Sequence, residues 1–484
     1  MDCHKPSTLL SETECAGWLN VVIQKRQQML AWVTSLHPQK LACESDGNLF
    51  YGSYNFRQKV TFSDGTSWVV RFPLFGNNAL RYTDEKVAME VEMMTFIREK
   101  TTIPVPRIRH WGLSRANPLG VGPFIIMDYI EGVSLTSFLI KRDPELQFSH
   151  VREDVDDETL ETLYRQFANI LLQLFQHDFE RIGSLPALKT GFDVPIRPLT
   201  FKAHDILQAG GVSTFGDRSK GFATTTEYFQ YVLSQDWEQL IKQRNSRALR
   251  TLLPSLIHPD YDRGPFKIIC DDLSLANVIV RSEDDLTIVG IVDLEWSYIG
   301  PAQLFGSAPW WLLGRRLVDV DTRYDEDHPE TTARYLKYLE IFKRVLGEEE
   351  ARMPGYDRRN ELSKLVQWSE SSGAMWLHML LSVGFNHPKN LPCVQLEQHI
   401  GSKKWGALLQ QSAGPEMDVF VEEKVVQLAQ YERDEKKALK LKDGFYARKI
   451  SMVSFLATVA ALEGWDLTSR FDPVPDNIEV VKDI

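Results

Sequence analysis

Several features that would assign the chain to a common class are missing from its 484 residues. The chain has only five cysteines, which are scattered and lack the spacing of metal ligands. This pattern predicts a reducing compartment rather than a disulfide framework. No apolar stretch is long enough for a spanning helix, and no apolar segment follows a basic start as in a secretory signal. We therefore predict a cytoplasmic protein.

Positive charge is also in short supply. A net charge of −11 argues against a nucleic-acid or anionic-membrane surface and is compatible with a cationic or amine-bearing substrate. The simpler alternative is an acidic soluble protein whose net charge has no bearing on its function. With 43% hydrophobic and 25% charged residues the composition is that of a globular protein, and the length predicts two lobes or domains.

The strongest functional signal lies in two short segments, FKIICDDLSLAN at 266–277 and IVDLEW at 291–296. Between them, β-branched runs at 278–280 and 288–292 predict two strands joined by a polar loop. Such a hairpin brings Asn277 beside Asp293. Together with Asp272 they form the set that a kinase-type phosphotransferase needs. One carboxylate receives the acceptor's hydroxyl proton, and an amide oxygen and a second carboxylate hold the Mg²⁺ on ATP.

The preceding region has the pattern of a hairpin followed by a helix. Asp64-Gly65 between the alternating runs 59–62 and 67–72 predicts a β-hairpin, with Arg71 near the end of its second strand. A helix is predicted over 83–100, stopped by Ile-Pro-Val-Pro. Of its two central acids, Glu92 is predicted to lie on a solvated face. Arg71 alone would be read as an ordinary surface cation.

This order of motifs resembles the aminoglycoside phosphotransferase superfamily, especially its fungal branch of small-molecule kinase homologues, over about 46–315. The family commonly has H-x-D-x-x-x-x-N and then D-x-E, where this chain has C-D-D-L-S-L-A-N and D-L-E. The resemblance implies that Asp272 is the catalytic aspartate and that Asn277 and Asp293 are metal ligands. Cys270 replaces the family's His, which braces the loop. Protein kinases match less well, because they carry a Lys where this chain has Ser274.

Further residues are implied by the same resemblance. Gly52 and Ser53 would form the nucleotide loop, although no Walker A or G-x-G-x-x-G motif is present and Gly52 fits an ordinary turn equally well. Arg71 would pair with Glu90 and bind phosphates. Adenine would contact the backbone of the hinge, near Met127 to Tyr129. Glu295 would reach a substrate amine or a second metal, or make a structural hydrogen bond.

The predicted fold is α+β, a protein-kinase-like two-lobe fold with a small β-rich N-lobe and a large, mainly helical C-lobe. Residues 1–45 would be a helical leader packing on the core, 46–130 the N-lobe and 131–484 the C-lobe. The predicted function is ATP- and Mg²⁺-dependent phosphoryl transfer to a hydroxyl of a small metabolite, without nucleic-acid or membrane partners. The alternative is a pseudokinase that binds partners without catalysis. Oligomeric state and acceptor stay open.

Overall fold

A computed structural model describes residues 6–411, except 46–49, 53, 76–81, 143–148, 153, 211–212, 238–242, 308, 310–311, 313–329, 356–359 and 383–389, and isolated positions between 426 and 458. Ser53, predicted for the nucleotide loop, therefore lies outside the described residues. In the described part of the chain, no helix combines the length and the apolar character that crossing a bilayer requires.

The N-terminal part contains one antiparallel sheet, two covering helices and one inserted helix. The strands are β1 (Cys43–Ser45), β2 (Phe50–Tyr51), β3 (Asn55–Phe62), β4 (Ser67–Pro73), β5 (Ile108–Gly112) and β6 (Phe124–Asp128). Their order is β1-β3-β4-β6-β5, with β2 also paired to β3. The helices are α1 (Pro6–Gln24), α2 (Arg26–Leu36) and α3 (Thr83–Lys100).

The predicted β3–β4 hairpin is confirmed, and its alternation explains its packing. Asp64 accepts from the Thr66 N–H at 2.9 Å, and Gly65 takes the positive φ of 87° that the turn requires. Phe56, Val60 and Trp68 belong to one apolar cluster with α1 and α2, which cover that face of the sheet. The side chains that alternate with this face are directed toward the C-lobe.

Helix α3 has the predicted bounds but not the predicted solvated face. Glu92 is only 4% exposed, and its carboxylate accepts from the main-chain N–H groups of Lys189 and Thr190 at 2.8 and 3.0 Å. The prediction for Glu92 is therefore wrong. A loop packs over this part of the helix, and its buried N–H groups need an acceptor.

The C-terminal part is mainly helical. Its helices are α4 (Leu135–Leu139), α5 (Asp157–Phe175), α6 (Phe201–Gly210), α7 (Thr225–Trp237), α8 (Gln243–Leu252), α9 (Glu330–Arg352), α10 (Glu361–Ser372), α11 (Ala374–Leu381), α12 (Leu391–Ile400) and α13 (Ser402–Gln411). Helix α5 is capped by Asp156, whose side chain accepts from the Thr159 N–H at 2.7 Å. Its apolar stripe packs into the main core.

The remaining strands are short: β7 (Val133–Ser134), β8 (Ile140–Arg142), β9 (Ser149–Val151), β10 (Lys267–Cys270), β11 (Val278–Val280), β12 (Ile288–Ile291) and β13 (Ser297–Gly300). The predicted β11–β12 hairpin is present, and β7 joins it on the outer side. Strand β10 pairs instead with β13. The expected two-lobe α+β architecture is confirmed.

Candidate active site

The turn after β10 holds Asp272 against Asn277. The side-chain amide nitrogen of Asn277 donates to the Asp272 carbonyl at 2.9 Å and to its carboxylate at 3.3 Å. A short 3-10 helix, Leu275–Asn277, then leads directly into β11. Because the amide nitrogen of Asn277 is used within the turn, its amide oxygen is the atom that it can offer to a cation.

The hairpin brings Asp293 to the same place. The Val292 N–H donates to the Asn277 carbonyl at 2.9 Å, so Asp293 leaves the sheet one residue later. Asp293 has a φ of 64°, in the left-handed region that non-glycine residues rarely adopt. Such a conformation costs of order 1–3 kcal/mol and is typical of functional sites. The strain thus marks Asp293 independently of any motif.

Both carboxylate oxygens of Asp293 are engaged by N-lobe side chains. Oδ1 accepts from Arg71 at 3.1 Å and from Asn55 at 3.2 Å, and Oδ2 pairs with Arg57. Burial opposes ionisation of Asp293, but Arg71, Arg57 and Lys86 outweigh it and hold the pKa of Asp293 below its ordinary value. The carboxylate is therefore negatively charged at neutral pH.

The predicted pairing of Arg71 with Glu90 is present. The guanidinium forms a short ion pair with the carboxylate, and the two side chains are 2% and 1% exposed. Burial lowers the pKa of Arg71, opposed by the charges of Asp293 and Glu295. With one end on Glu90 and the other on Asp293, Arg71 links helix α3 to the hairpin of the C-lobe.

Glu295 makes a second link of the same kind. Its carboxylate accepts from Lys86 and from Asn55, both at 2.8 Å, and all three side chains are buried. The Lys86 ammonium also lies 4.7 Å from the centre of the Trp296 ring. Glu295 thus makes structural hydrogen bonds, but to β3 and α3 and not to the loop; its role toward a substrate amine or a second metal stays a prediction. Burial lowers the pKa of Lys86, and Glu295 opposes that effect.

The sequence interpretation missed three residues of this junction: Asn55, Arg57 and Lys86. Two of them could have been found from the residue spacing in the sequence. A hairpin centred on Asp64-Gly65 places Arg57 opposite Arg71, as observed. Lys86 is four residues before Glu90 and therefore lies on the same side of α3. Asn55 gave no such signal, because its role depends on how the two lobes meet.

The other predicted nucleotide contacts are more sparsely defined. Gly52 lies between β2 and β3, and its N–H donates to the Asn55 carbonyl at 3.0 Å. No described protein atom lies within 4 Å of a Cβ built on Gly52, so protein packing does not itself require glycine there. At the hinge, the N–H groups of Asp128 and Tyr129 donate to the Arg107 and Ser67 carbonyls, each at 3.0 Å. Adenine would therefore need other main-chain atoms, such as carbonyl oxygens.

Cys270, which replaces the family's His, is at the end of β10 opposite Ser297. Burial raises the pKa of its thiol to about 11. The thiol is consequently neutral at physiological pH. It can fill space beneath the turn, but it supplies neither the ring nor the proton exchange of an imidazole.

The donor set fits a magnesium ion in its chemistry. Asn277 and Asp293 offer amide and carboxylate oxygens, which are the hard ligands that Mg²⁺ prefers. Oxygens of Glu90, Asp293 and Glu295 also lie within 4.8 Å of one another, and Glu90 Oε1 is buried without a hydrogen-bond partner among the described atoms. Arg57 would have to leave Asp293 before that carboxylate bound a metal.

The chain is similar to several known proteins. The chain is 26% identical over 313 residues to clavilactone A biosynthesis cluster protein Y of Ampulloclitocybe clavipes, covering 60% of this chain and 68% of that protein. It is 30% identical over 145 residues to altered inheritance of mitochondria protein 9 of Clavispora lusitaniae, covering 29% of this chain and 22% of that protein.

Solved structures of phosphotransferases are also similar. A macrolide 2′-phosphotransferase from Brachybacterium faecium is 14% identical with a TM-score of 0.39, covering 80% of this chain and 97% of that one. The GDP complex of aminoglycoside 2′-phosphotransferase-IIIa is 16% identical with a TM-score of 0.37, covering 80% and 98%. The model of the phosphotransferase enzyme family matches residues 52–311. Since that match spans more than half of the chain, the protein belongs to the phosphotransferase enzyme family.

Proposed function

We propose that the protein is a Mg²⁺- and ATP-dependent phosphotransferase that phosphorylates a hydroxyl group of a small molecule. The observation that carries the proposal is the position of Asp293. It is held in a strained conformation one residue from the partner of Asn277, and it is in contact with the Arg71–Glu90 pair. Family membership supports phosphotransferase chemistry in general.

In this proposal each described side chain has one task. Asp272 orients the acceptor hydroxyl and takes its proton while the new oxygen–phosphorus bond forms and the bond to the ADP oxygen breaks. Asn277 and Asp293 hold the metal, which when bound neutralises charge on the phosphates. The Arg71–Glu90 and Lys86–Glu295 pairs keep α3 and the hairpin in register.

Arg57 is assigned the phosphate contact that the sequence gave to Arg71. The side chain of Arg71 is 2% exposed and bonded at both ends, whereas that of Arg57 is 34% exposed. Arg57 can therefore leave Asp293 without breaking a buried pair, and its guanidinium suits bidentate binding of phosphate oxygens. Its departure would free Asp293 for the metal at the same time.

We further propose the lobe boundaries at about 45 and 130, and a cytoplasmic location. The name of the Clavispora relative associates that protein with mitochondria. A mitochondrial location is thus the alternative for this chain, and fractionation of cells that express the tagged full chain distinguishes the two. The Ampulloclitocybe relative is named for a biosynthesis cluster. By analogy, a hydroxylated natural product is a reasonable first class of acceptor to screen.

A pseudokinase is the second candidate, and one observation favours it. Both carboxylate oxygens of Asp293 already accept hydrogen bonds from protein donors, namely Asn55, Arg57 and Arg71. The loss of the catalytic-loop His, replaced by Cys270, points the same way. A protein that kept this closed arrangement would bind a partner and transfer no phosphate.

Nucleotide binding by the purified full chain separates these candidates. We expect Mg²⁺·ATP to raise the melting temperature of the wild type, and we expect EDTA to diminish that shift. Asp293→Asn should lose the metal-dependent part and keep the rest. If millimolar Mg²⁺·ATP leaves the melting temperature of the wild type unchanged, the pseudokinase becomes the better account.

A further inference from the structure

A cavity of about 180 Å³ lies among elements of the C-lobe and borders the catalytic turn, the segment that follows β10 and contains Asp272 and Asn277. Its walls come from β10, α5, α7, α11 and the 3-10 helix Ala302–Gly306. The turn itself closes one end of the cavity, through Cys270, Asp271 and Leu273. The two residues that flank Asp272 in the sequence, Asp271 and Leu273, are therefore both part of the lining.

The described lining of this cavity is mostly apolar. The side chains from the helices include Leu174, Phe229, Val232, Met379 and Leu381. Among the described lining residues only Lys202 and Asp271 carry opposite charges, and His378 is held neutral. Recognition of a polycation requires several carboxylates, because each ammonium group that loses water needs a partner. The described walls offer one.

His378 is neutral for two reasons. Burial lowers its pKa to about 3. Its Nε2 accepts from Gln303 at 2.8 Å, which leaves the Nδ1–H to donate to Ser307 Oγ at 2.6 Å. A second ring proton would face the amide N–H of Gln303. This wall of the cavity therefore presents no positive charge.

Polar residues of the lining include Tyr228 and Tyr298, together with Asp271 of the catalytic turn. The Tyr228 hydroxyl donates to the Tyr298 hydroxyl at 2.9 Å, and Tyr298 is hydrogen-bonded in turn to Asp271. Such a chain of hydroxyl groups can give and accept hydrogen bonds with a hydroxyl of a ligand. An apolar molecule with one hydroxyl would be oriented with that group toward the turn.

We propose that this cavity binds the phosphoryl acceptor, and that the acceptor is an uncharged, mainly apolar alcohol or phenol rather than a polycationic sugar. The ligand's role as acceptor rests on the proposed phosphotransferase function. The walls select the apolar body by shape and desolvation, and the Asp271–Tyr298–Tyr228 chain places the hydroxyl beside Asp272.

Calorimetric titration of the full chain without nucleotide tests the ligand class. The probes are 2-naphthol, 4-butylphenol and geraniol, with 2-methylnaphthalene as the analogue without a hydroxyl and tobramycin as the polycation. We expect at least one hydroxylated probe to bind, 2-methylnaphthalene to bind more weakly and tobramycin not to bind. Tighter binding of tobramycin, or no binding of any hydroxylated probe, would overturn the proposal.

Two variants place the binding in this cavity. Val232→Phe and Ser382→Phe fill it from different walls, and each should weaken the hydroxylated probe by about tenfold or more, about 1.4 kcal/mol. Val426→Phe is the matched control, because Val426 is 67% exposed. Circular dichroism and the Mg²⁺·ATP shift identify a variant that has not folded, and the other variant then decides. Unchanged affinity in a folded cavity variant contradicts the assignment.

The same samples separate this inference from the function on which it depends. Mg²⁺·ATP is added to the complex with the bound probe, and a phosphate monoester is sought by mass spectrometry. Nucleotide binding without any probe binding leaves the phosphotransferase proposal standing and overturns the cavity proposal. Probe binding without nucleotide binding or product removes the acceptor role and the phosphotransferase together.

Discussion

Two regions next to the catalytic turn are stabilised by different interactions. Toward the N-lobe, three cations (Arg57, Arg71, Lys86) meet three carboxylates (Glu90, Asp293, Glu295), and all but Arg57 and Asp293 are buried. Toward the C-lobe helices, the described cavity wall is apolar with one charge of each sign. Buried charges persist only when paired, so the first side is specified by exact partners. The second is specified by volume. One side suits phosphate and metal, and the other suits a neutral acceptor.

The largest effect is expected where the two sides meet. Asp272→Asn should lower turnover by about 10²–10⁴-fold, because the amide cannot take the acceptor's proton. The Mg²⁺·ATP shift should persist, since Asp272 is not a proposed metal ligand. Turnover is measured as ADP formation with a hydroxylated acceptor. Undiminished turnover in the variant would remove Asp272 from its proposed role.

Breaking the buried Arg71–Glu90 ion pair should lower the stability of the fold. Arg71→Met leaves Glu90 buried without its partner and should lower the free energy of unfolding by about 3–5 kcal/mol, the usual cost of an uncompensated buried charge. Chemical denaturation measures it. The double variant Arg71→Met/Glu90→Leu should recover part of the loss. Lys59→Met, at an ion pair whose Glu131 partner is 76% exposed, is the control and should cost about 1 kcal/mol or less. Equal losses for both sites would contradict the comparison.

The cavity side should instead be sensitive to pH. His378 has its pKa lowered to about 3, against about 6.5 in the unfolded chain. The unfolded state therefore binds more protons between these values, and the contribution of neutral His378 to stability, full above pH 6.5, declines as pH falls toward 3. His378→Gln should flatten the decline in unfolding free energy between pH 7 and pH 5. His204, lowered to about 3 as well, should preserve a residual slope. An unchanged slope in the variant would show that the pKa of His378 is the same in the folded and unfolded states.

The smallest change is expected at Arg57, and its sign is what matters. In Arg57→Gln the competing cation is gone from Asp293, so the affinity for Mg²⁺ without nucleotide should rise. The affinity for ATP in EDTA should fall by about tenfold or more, because a charge-assisted hydrogen bond of about 1.5–3 kcal/mol is lost. Thermal-shift titrations measure both, with Lys59→Gln as a same-strand control. A merely structural Arg57 would weaken both affinities together.

Local patterns predicted the fold well. The bounds of α3, the Asp64-Gly65 hairpin and the β11–β12 hairpin were all legible, because periodicity, turn chemistry and β-branched runs act over a few residues. The segment 186–225 shows little periodicity in the sequence, yet it contains α6 (Phe201–Gly210). Ala203 of that helix, together with Leu199 just before it, belongs to a small separate cluster with Trp296, a tertiary contact that overrides a weak local pattern.

By itself the sequence determined which chemistry is present: Asp272, Asn277 and Asp293 in order, and Arg71 and Glu90 on a strand and a helix that could meet. Only the tertiary structure decided who contacts whom between the lobes. It assigned Glu295 to Lys86, added Arg57 to Asp293 and buried Glu92 under a loop. The physical reason is that spacing along the chain fixes neighbours within an element. The partner of a buried charge is fixed by the packing of distant elements, which must neutralise every charge that they remove from water.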